Sequence, residues 1–215
     1  MSALQTALIA AAAAALASPL LAGWSAALAG GQIAGWWMPR RVSRPRWAVV
    51  AVVAGGLAML AMHGTPLPGW LLLAAGGSVL AIVDMQTHRL PTPLLAGMSI
   101  AEAATLTLTA ILQHDPAPLG HSVLAAAVVT ASWFTVALAA PSSLGLGDVW
   151  IAGLTAGLLG WSGWMPVLYG QAAAWLLALP LAGVIALAGP ATRGRRMPIP
   201  LGPAIIAGAI AACWL

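Results

Sequence analysis

Two of the four acidic residues in this 215-residue chain stand at the ends of long apolar runs. Asp84 closes the run that starts at Trp70, and Asp148 opens the run that continues from Val149. An ionisable group near a membrane core costs about 2.5–3.5 kcal/mol on insertion scales, so a chain this poor in carboxylates is expected to place two there for a function. Paired carboxylates are the minimum equipment for activating a water by acid and base catalysis. We therefore expect the function of the chain to lie in Asp84 and Asp148.

A glycine-rich turn precedes the second aspartate. Gly145 and Gly147 flank Leu146 directly before Asp148. Glycine lets the backbone turn sharply and lets a peptide approach closely, so both glycines are predicted to shape the site or contact a substrate. As a phosphate loop the pattern is weak, because it lacks the further glycine and the lysine of such loops. Taken singly, Asp148 also fits a helix N-cap and Asp84 a solvated boundary residue, and both alternatives stay open.

The composition is that of a membrane protein. The chain is 61% hydrophobic and only 6% charged, which is too apolar for a soluble domain of this size. Its net charge of +4 comes from eight arginines and no lysine, placed between apolar segments. This pattern favours membrane lipids as partners and no nucleic acid. Cys213 is the only cysteine and the histidines lack zinc-ligand spacing, so neither a metal nor a cofactor is expected.

Apolar runs separated by turn-forming residues predict an all-α, polytopic transmembrane bundle of about eight helices. Most of the runs meet the ~17–25 residues that a membrane-spanning helix needs. Prolines in the connections, including Pro45, Pro68 and Pro118, are expected to break helices, and Pro180 is expected to kink the seventh segment. The first segment is predicted to be retained, with cleavage as a signal peptide as the alternative. The predicted segments are 4–29, 47–62, 69–84, 91–112, 121–141, 148–165, 166–189 and 201–215.

The arginines orient these segments. With the N-terminus outside, every arginine falls in the inner connections 30–46, 84–90 and 190–200, in agreement with the positive-inside bias. Asp84 and Asp148 then lie at one depth on the cytoplasmic side. We divide the chain into residues 1–68, which form N-terminal transmembrane helices with an arginine-rich inner loop, and residues 69–215, which hold the catalytic core. Both parts are expected to belong to one integral membrane domain.

Three stretches carry a resemblance. In the first, Asp84 is followed by Thr87-His88-Arg89-Leu90-Pro91, and the second is Gly145-Leu146-Gly147-Asp148-Val149. The third is Met197-Pro198-Ile199-Pro200-Leu201-Gly202-Pro203, which precedes the last apolar segment. Together, in this order and over roughly residues 70–215, they resemble the type IV prepilin peptidases, membrane aspartyl proteases with a Gly-x-Gly-Asp motif. The tetrapeptide alone is a weak signal, whereas the three stretches in order are a strong one.

The resemblance implies a function and a location. It implies an aspartic endopeptidase that cleaves the class III signal peptide of prepilins or pseudopilins at the cytoplasmic face of the bacterial inner membrane. Asp84 and Asp148 match the catalytic pair, and Gly202 and Pro203 match an element that shapes the site or the substrate groove. For Pro203, ordinary helix-start chemistry is an open alternative. Trp150 stands where the family commonly has lysine.

Methylation of the new N-terminus is not expected. Long members of the family carry a four-cysteine zinc insertion and methylate their products with S-adenosylmethionine, and this chain lacks those cysteines. The chain therefore resembles a short form of the family, without the methyltransferase region.

A non-enzymatic membrane protein is the competing hypothesis. A transporter or scaffold can use paired aspartates to bind protons or a cation. Against it, both aspartates are expected near one interface, and the chain shows no inverted repeat with broken helices. A family member that binds prepilins without cutting them is a third hypothesis, and the intact pair of Asp84 and Asp148 argues against it.

Overall fold

The computed structural model describes residue 17 and residues 20–29, 44–60, 63–87, 90–139, 144–187 and 201–214, with side chains omitted for 44–47 and 181–187. These residues form eight helices and no strand, which confirms the predicted all-α bundle of about eight helices. The helices are α1 (Leu20–Ala29), α2 (Arg44–Leu60), α3 (Leu67–Thr87), α4 (Thr92–Gln113), α5 (Ala117–Ala139), α6 (Leu146–Gly160), α7 (Trp164–Leu187) and α8 (Gly202–Ala212).

The outer surface of the bundle is suited to lipid. Helices α3, α4 and α5 are long and apolar enough to cross a membrane. Large apolar side chains stand exposed on α4 and α5, where water would make them an aggregation hazard and lipid makes them ordinary. Examples are Ile100, Leu108, Leu112, Val123, Val128 and Leu138. The protein is therefore a transmembrane helix bundle.

Proline marks the helix starts. It is the second residue of five helices, at Pro45, Pro68, Pro93, Pro118 and Pro203. The prediction that Pro45, Pro68 and Pro118 lie in connections is wrong. A proline in the first helical turn lacks only an amide that would have no partner inside the helix, so it begins the helix instead of breaking it.

Both aspartates lie inside helices. Helix α3 was predicted to end at Asp84, but it continues to Thr87, whose hydroxyl donates a hydrogen bond to the Val83 carbonyl at 2.9 Å. Helix α6 was predicted to begin at Asp148, but it begins at Leu146. Asp148 is thus the third residue of its helix and not the N-cap, because the flexible Gly145 takes the cap position.

Helix α6 occupies the centre of the bundle. Every residue from Ile151 to Gly160 is buried. Glycines allow this burial. A β-carbon added to Gly160 would lie only 2.7 Å from the Ala125 β-carbon of α5, so the space there suits a residue without a side chain. Helix α8 lies equally close to α7, where a β-carbon on Gly208 would stand 2.6 Å from the Ala174 amide nitrogen. Small residues at such crossings let membrane helices pack backbone to backbone.

The bundle has two distinct ends. At one end, the Thr65 and Ser162 hydroxyls are hydrogen-bonded at 3.2 Å, and Trp214 donates its indole N–H to the Leu60 carbonyl at 3.0 Å. The tight turn between α6 and α7 lies there too, with Gly163 at φ 114°, a conformation that favours glycine. The other end, here called the aspartate end, holds the end of α3 and the starts of α4, α6 and α8.

One hydrophobic core joins the two predicted parts of the chain. Leu21 and Val50 from residues 1–68 belong to the same buried cluster as Leu80 and Ile206 from residues 69–215. The predicted helix before residue 17, the side chains of all eight arginines and the connection 188–200 lie outside the described residues.

Candidate functional site

Asp84 is buried at the aspartate end. Its side chain is 4% exposed, and Oδ2 accepts a hydrogen bond from the backbone amide of Gly202 at 3.2 Å. Gly202 is the first residue of α8, and the first amides of a helix have no carbonyl partners within it. The start of α8 therefore directs a free donor and the positive end of a helix dipole at this carboxyl group.

Asp148 is also held by a backbone amide, at the start of its own helix. It lies in the first turn of α6, is half-buried, and its Oδ2 accepts a hydrogen bond from the Gly145 amide at 3.0 Å. A carboxylate at the third helical position that reaches back to the cap amide satisfies a donor that would otherwise be unpaired. Both aspartates are thus held by a backbone amide at a helix start.

Leu90 joins the two halves of the site. A β-carbon on Gly202 would lie 3.0 Å from Asp84 Oδ2 and 3.4 Å from Leu90 Cδ2. A β-carbon on Gly147 would lie 2.7 Å from Leu90 Cβ. The Leu90 side chain therefore fills the space between the glycine beside Asp84 and the glycine beside Asp148. The structure brings these predicted site residues together.

Lack of side chains is a packing requirement at two of the predicted glycines. A methyl group at Gly147 would overlap Leu90, and one at Gly202 would crowd Asp84. Gly145 is exposed, and its cap position uses the amide that binds Asp148. Pro203, the remaining predicted residue, is the half-buried second residue of α8. The role of Pro203 in shaping the site or the substrate groove stays a prediction.

The site is open on the α6 side. Gly145 and Leu146 are exposed, whereas Asp84 is covered. Trp150 donates its indole N–H to Ser99 Oγ at 2.9 Å and thereby ties α4 to α6. Asp148 is therefore the more accessible of the two aspartates.

The sequence analysis missed Leu90 and Glu102. The role of Leu90 depends on the approach of α8 to α3, which no local pattern announces. Glu102 did carry a signal, because it is the only glutamate of the chain and lies in the middle of the apolar helix α4. It is buried, and its Oε2 has no hydrogen-bond partner among the described residues.

The described ranges contain no group of three or more His, Cys, Asp or Glu side chains that is placed to hold a metal ion, and His88 lies outside them. Comparison of the chain with models of protein families, with curated proteins and with solved structures found no match.

Proposed function

We propose that this protein is an aspartic endopeptidase that removes the class III leader peptide of prepilins or pseudopilins. The observation that carries the proposal is that Asp84 and Asp148, from different helices, lie at one end of a membrane bundle, with Leu90 packed between the glycines beside them. Two carboxyl groups so arranged, one buried and one half-buried, are suited to holding a water between an acid and a base.

Charge repulsion sets the mechanism. Two carboxyl groups that interact in a partly desolvated site do not both ionise easily, so they share one proton. The ionised aspartate takes a proton from a bound water, and the oxygen of that water attacks the scissile carbonyl carbon. The protonated aspartate donates its proton to the carbonyl oxygen. When the tetrahedral intermediate collapses, the C–N bond breaks and the leaving nitrogen takes the proton that the first aspartate received from water. The hydroxyl formed on the carbonyl oxygen returns its proton to the second aspartate, and no covalent intermediate forms.

The surroundings of Asp148 suit a peptide substrate. An extended chain needs close backbone approach, and the exposed Gly145 at the start of α6 offers no side chain to obstruct it. The apolar segment that follows the cleavage site can stay in the membrane beside the bundle, while the scissile bond reaches the aspartates at its end. An enzyme of this kind binds prepilin or pseudopilin substrates and membrane lipids.

The resemblance to the type IV prepilin peptidases supports the same proposal. It rests on three stretches that are far apart along the chain, and residues from all three are in contact in the candidate site: Asp84 and Leu90, Gly147, and Gly202. Contact among separate stretches is expected if they serve one function. The resemblance is to the form without the four cysteines, and it implies that methyltransferase activity is absent.

The arginines supply the orientation. All eight belong to the predicted connections that join helices at the aspartate end. The positive-inside bias therefore directs that end to the cytoplasm. The protein is then a multi-pass protein of the bacterial inner membrane, and its active site faces the cytoplasm, where prepilin leaders lie.

A reconstituted cleavage assay tests the function. The purified protein in liposomes is incubated with a substrate that has a short basic leader, a glycine and an apolar helix. Mass spectrometry should find one cut, directly after the glycine, and a bulky residue in place of that glycine should suppress it. An intact substrate, together with proton or cation flux across the liposome membrane, would favour the transporter hypothesis instead.

A further inference from the structure

A groove that adjoins the turn of Asp148 lies between α4, α5 and α6. Its volume is about 600 Å³, and its lining is mostly apolar. At one end it is lined by Leu119 and Ser122 of α5, and at the other by Leu146, Val149 and Trp150 of α6. The groove therefore runs along α6 from the first turn of α5, at the end opposite the aspartates, to the helix turn that carries Asp148.

Two buried polar side chains line this groove, and each has one oxygen without a hydrogen-bond partner among the described residues. Glu102 of α4 is 6% exposed and Ser122 of α5 is 1% exposed, and both line the groove. Glu102 Oε2 and Ser122 Oγ make no hydrogen bond to any described residue. A buried polar atom without a partner is unfavourable, and more so where lipid surrounds the helices, so the pair indicates a ligand that supplies the missing hydrogen bonds.

The depth of Glu102 limits what the ligand can be. A β-carbon on Gly157 would lie 2.6 Å from Glu102 Oε1, so the carboxyl group lies beside that glycine. Gly157 follows Asp148 by nine residues on α6, which is about 13 Å along a helix. Acyl chains have no hydrogen-bonding groups, and lipid headgroups stay at the membrane surface. A fitting occupant is apolar along its length and carries one polar group about 13 Å inward from the aspartate end.

We propose that this groove binds a transmembrane helix of another protein, with one hydrogen-bonding side chain of that helix against Glu102 and Ser122. The groove is continuous with the candidate site, because Val149 and Trp150 line it directly after Asp148. Under the proposed function, on which this identification rests, the occupant is the apolar segment of the substrate. The substrate helix rises by the same distance per residue as α6. Its polar side chain therefore lies about nine residues beyond the scissile bond, as Gly157 lies nine residues beyond Asp148.

Model helices test the groove without any cleavage. The probe is a membrane-spanning leucine-alanine peptide with one asparagine about nine residues from one end, and the control peptide has leucine there. The protein is placed in nanodiscs with a photoreactive residue at Val123, which is exposed and lines the groove. The asparagine peptide should cross-link with at least fivefold higher apparent affinity than the leucine peptide. A photoreactive residue at Leu176 on α7, exposed and outside the groove lining, should capture neither peptide selectively.

Variants of the two polar residues identify the contact. Glu102→Leu combined with Ser122→Ala should reduce binding of the asparagine peptide to that of the leucine peptide. Glu102→Gln keeps an acceptor of the same size and should preserve most of the preference. Asp115→Asn, a change on the exposed turn between α4 and α5, should leave it unchanged.

Three outcomes would overturn the proposal. Equal binding of both peptides to the unchanged protein would show that water satisfies Glu102 and Ser122. Cross-linking between two copies of this chain, or to lipid alone, would assign the groove to those occupants. Because the peptides carry no leader and no cleavage glycine, their binding is independent of peptidase activity. Selective peptide binding without cleavage in the liposome assay would support the binding groove and contradict the peptidase function. Cleavage without selective peptide binding would support the peptidase function and contradict the binding groove.

Discussion

The Oδ2 atom of Asp84 accepts a hydrogen bond from the backbone amide of Gly202 at 3.2 Å, across 118 positions of the chain. Asp84 is near the end of α3, and Gly202 begins α8. The last helix therefore fixes the first aspartate. Its crossing with α7 at Gly208 is close enough to make that support rigid.

A methyl group at Gly202 should disturb the site directly. Its carbon would lie 3.0 Å from Asp84 Oδ2, so Gly202→Ala pushes the carboxyl group away from the amide that holds it. We expect the cleavage rate to fall at least tenfold. Gly97→Ala is the matched control, because a β-carbon on Gly97 meets nothing within 4 Å. Initial rates for both purified variants check the prediction, and equal activity would disprove the positioning role of Gly202.

The indole of Trp150 should stabilise the contact between α4 and α6. Removing its hydrogen bond to Ser99 by Trp150→Phe or Ser99→Ala should lower the free energy of unfolding by about 1 kcal/mol through the lost bond. A double-mutant cycle, measured by unfolding in detergent, should give a coupling energy of about that size. Additive losses would mean that the bond does not stabilise the protein.

The arginine pattern predicts the topology. Single cysteines are introduced after Cys213, the free cysteine, is replaced with serine. Positions 89 and 193 should be protected from an impermeant maleimide in intact cells, while positions 114 and 162 should react. Labelling at 89 and 193 from outside would reverse the orientation and exclude cleavage at the cytoplasmic face.

The processed substrate should keep a free N-terminal amine. The chain has one cysteine and so lacks the four-cysteine region that accompanies methylation in long prepilin peptidases. Mass spectrometry of the product, formed by this protein alone with S-adenosylmethionine present, should show no methyl increment. A methyl increment that requires S-adenosylmethionine would refute the prediction.

The fold was largely predictable because apolar runs, spaced by proline and glycine, define membrane helices almost independently of tertiary contacts. The errors came from local chemistry at helix starts. Pro68 and Pro118 lie in the first turns of helices instead of preceding them, and Gly145 takes the cap position that was an alternative interpretation of Asp148.

The candidate site was predictable in part. The arginine pattern indicated that Asp84 and Asp148 share one end of the bundle, and both lie at the aspartate end. That Leu90 lies between Gly147 and Gly202 was not predictable, because this contact depends on where three helices converge. Glu102 was recognisable as the only glutamate, in the middle of an apolar helix, and its significance became clear only with the groove that it faces.

The central claim is that Asp84 and Asp148 act as one unit, since water activation needs one ionised and one protonated carboxyl group at the same time. Asparagine keeps the size of aspartate and cannot titrate. Asp84→Asn and Asp148→Asn should each abolish cleavage, and the double variant should be no worse than either single one, because residues that act together are strongly non-additive. Membrane insertion should be unaffected.

The same substitution at Asp115, whose carboxylate accepts a hydrogen bond from the Ala117 amide at the start of α5, is the matched control and should leave cleavage intact. EDTA should also leave cleavage intact, since the proposed mechanism uses no metal.

The most direct measurement is the cleavage rate of each purified, folded single Asn variant on a prepilin-type substrate. The account predicts no detectable product from either the Asp84→Asn or the Asp148→Asn protein, together with a normal rate for Asp115→Asn. A substantial residual rate in either of the first two variants would contradict the paired mechanism and return the transporter hypothesis to first place.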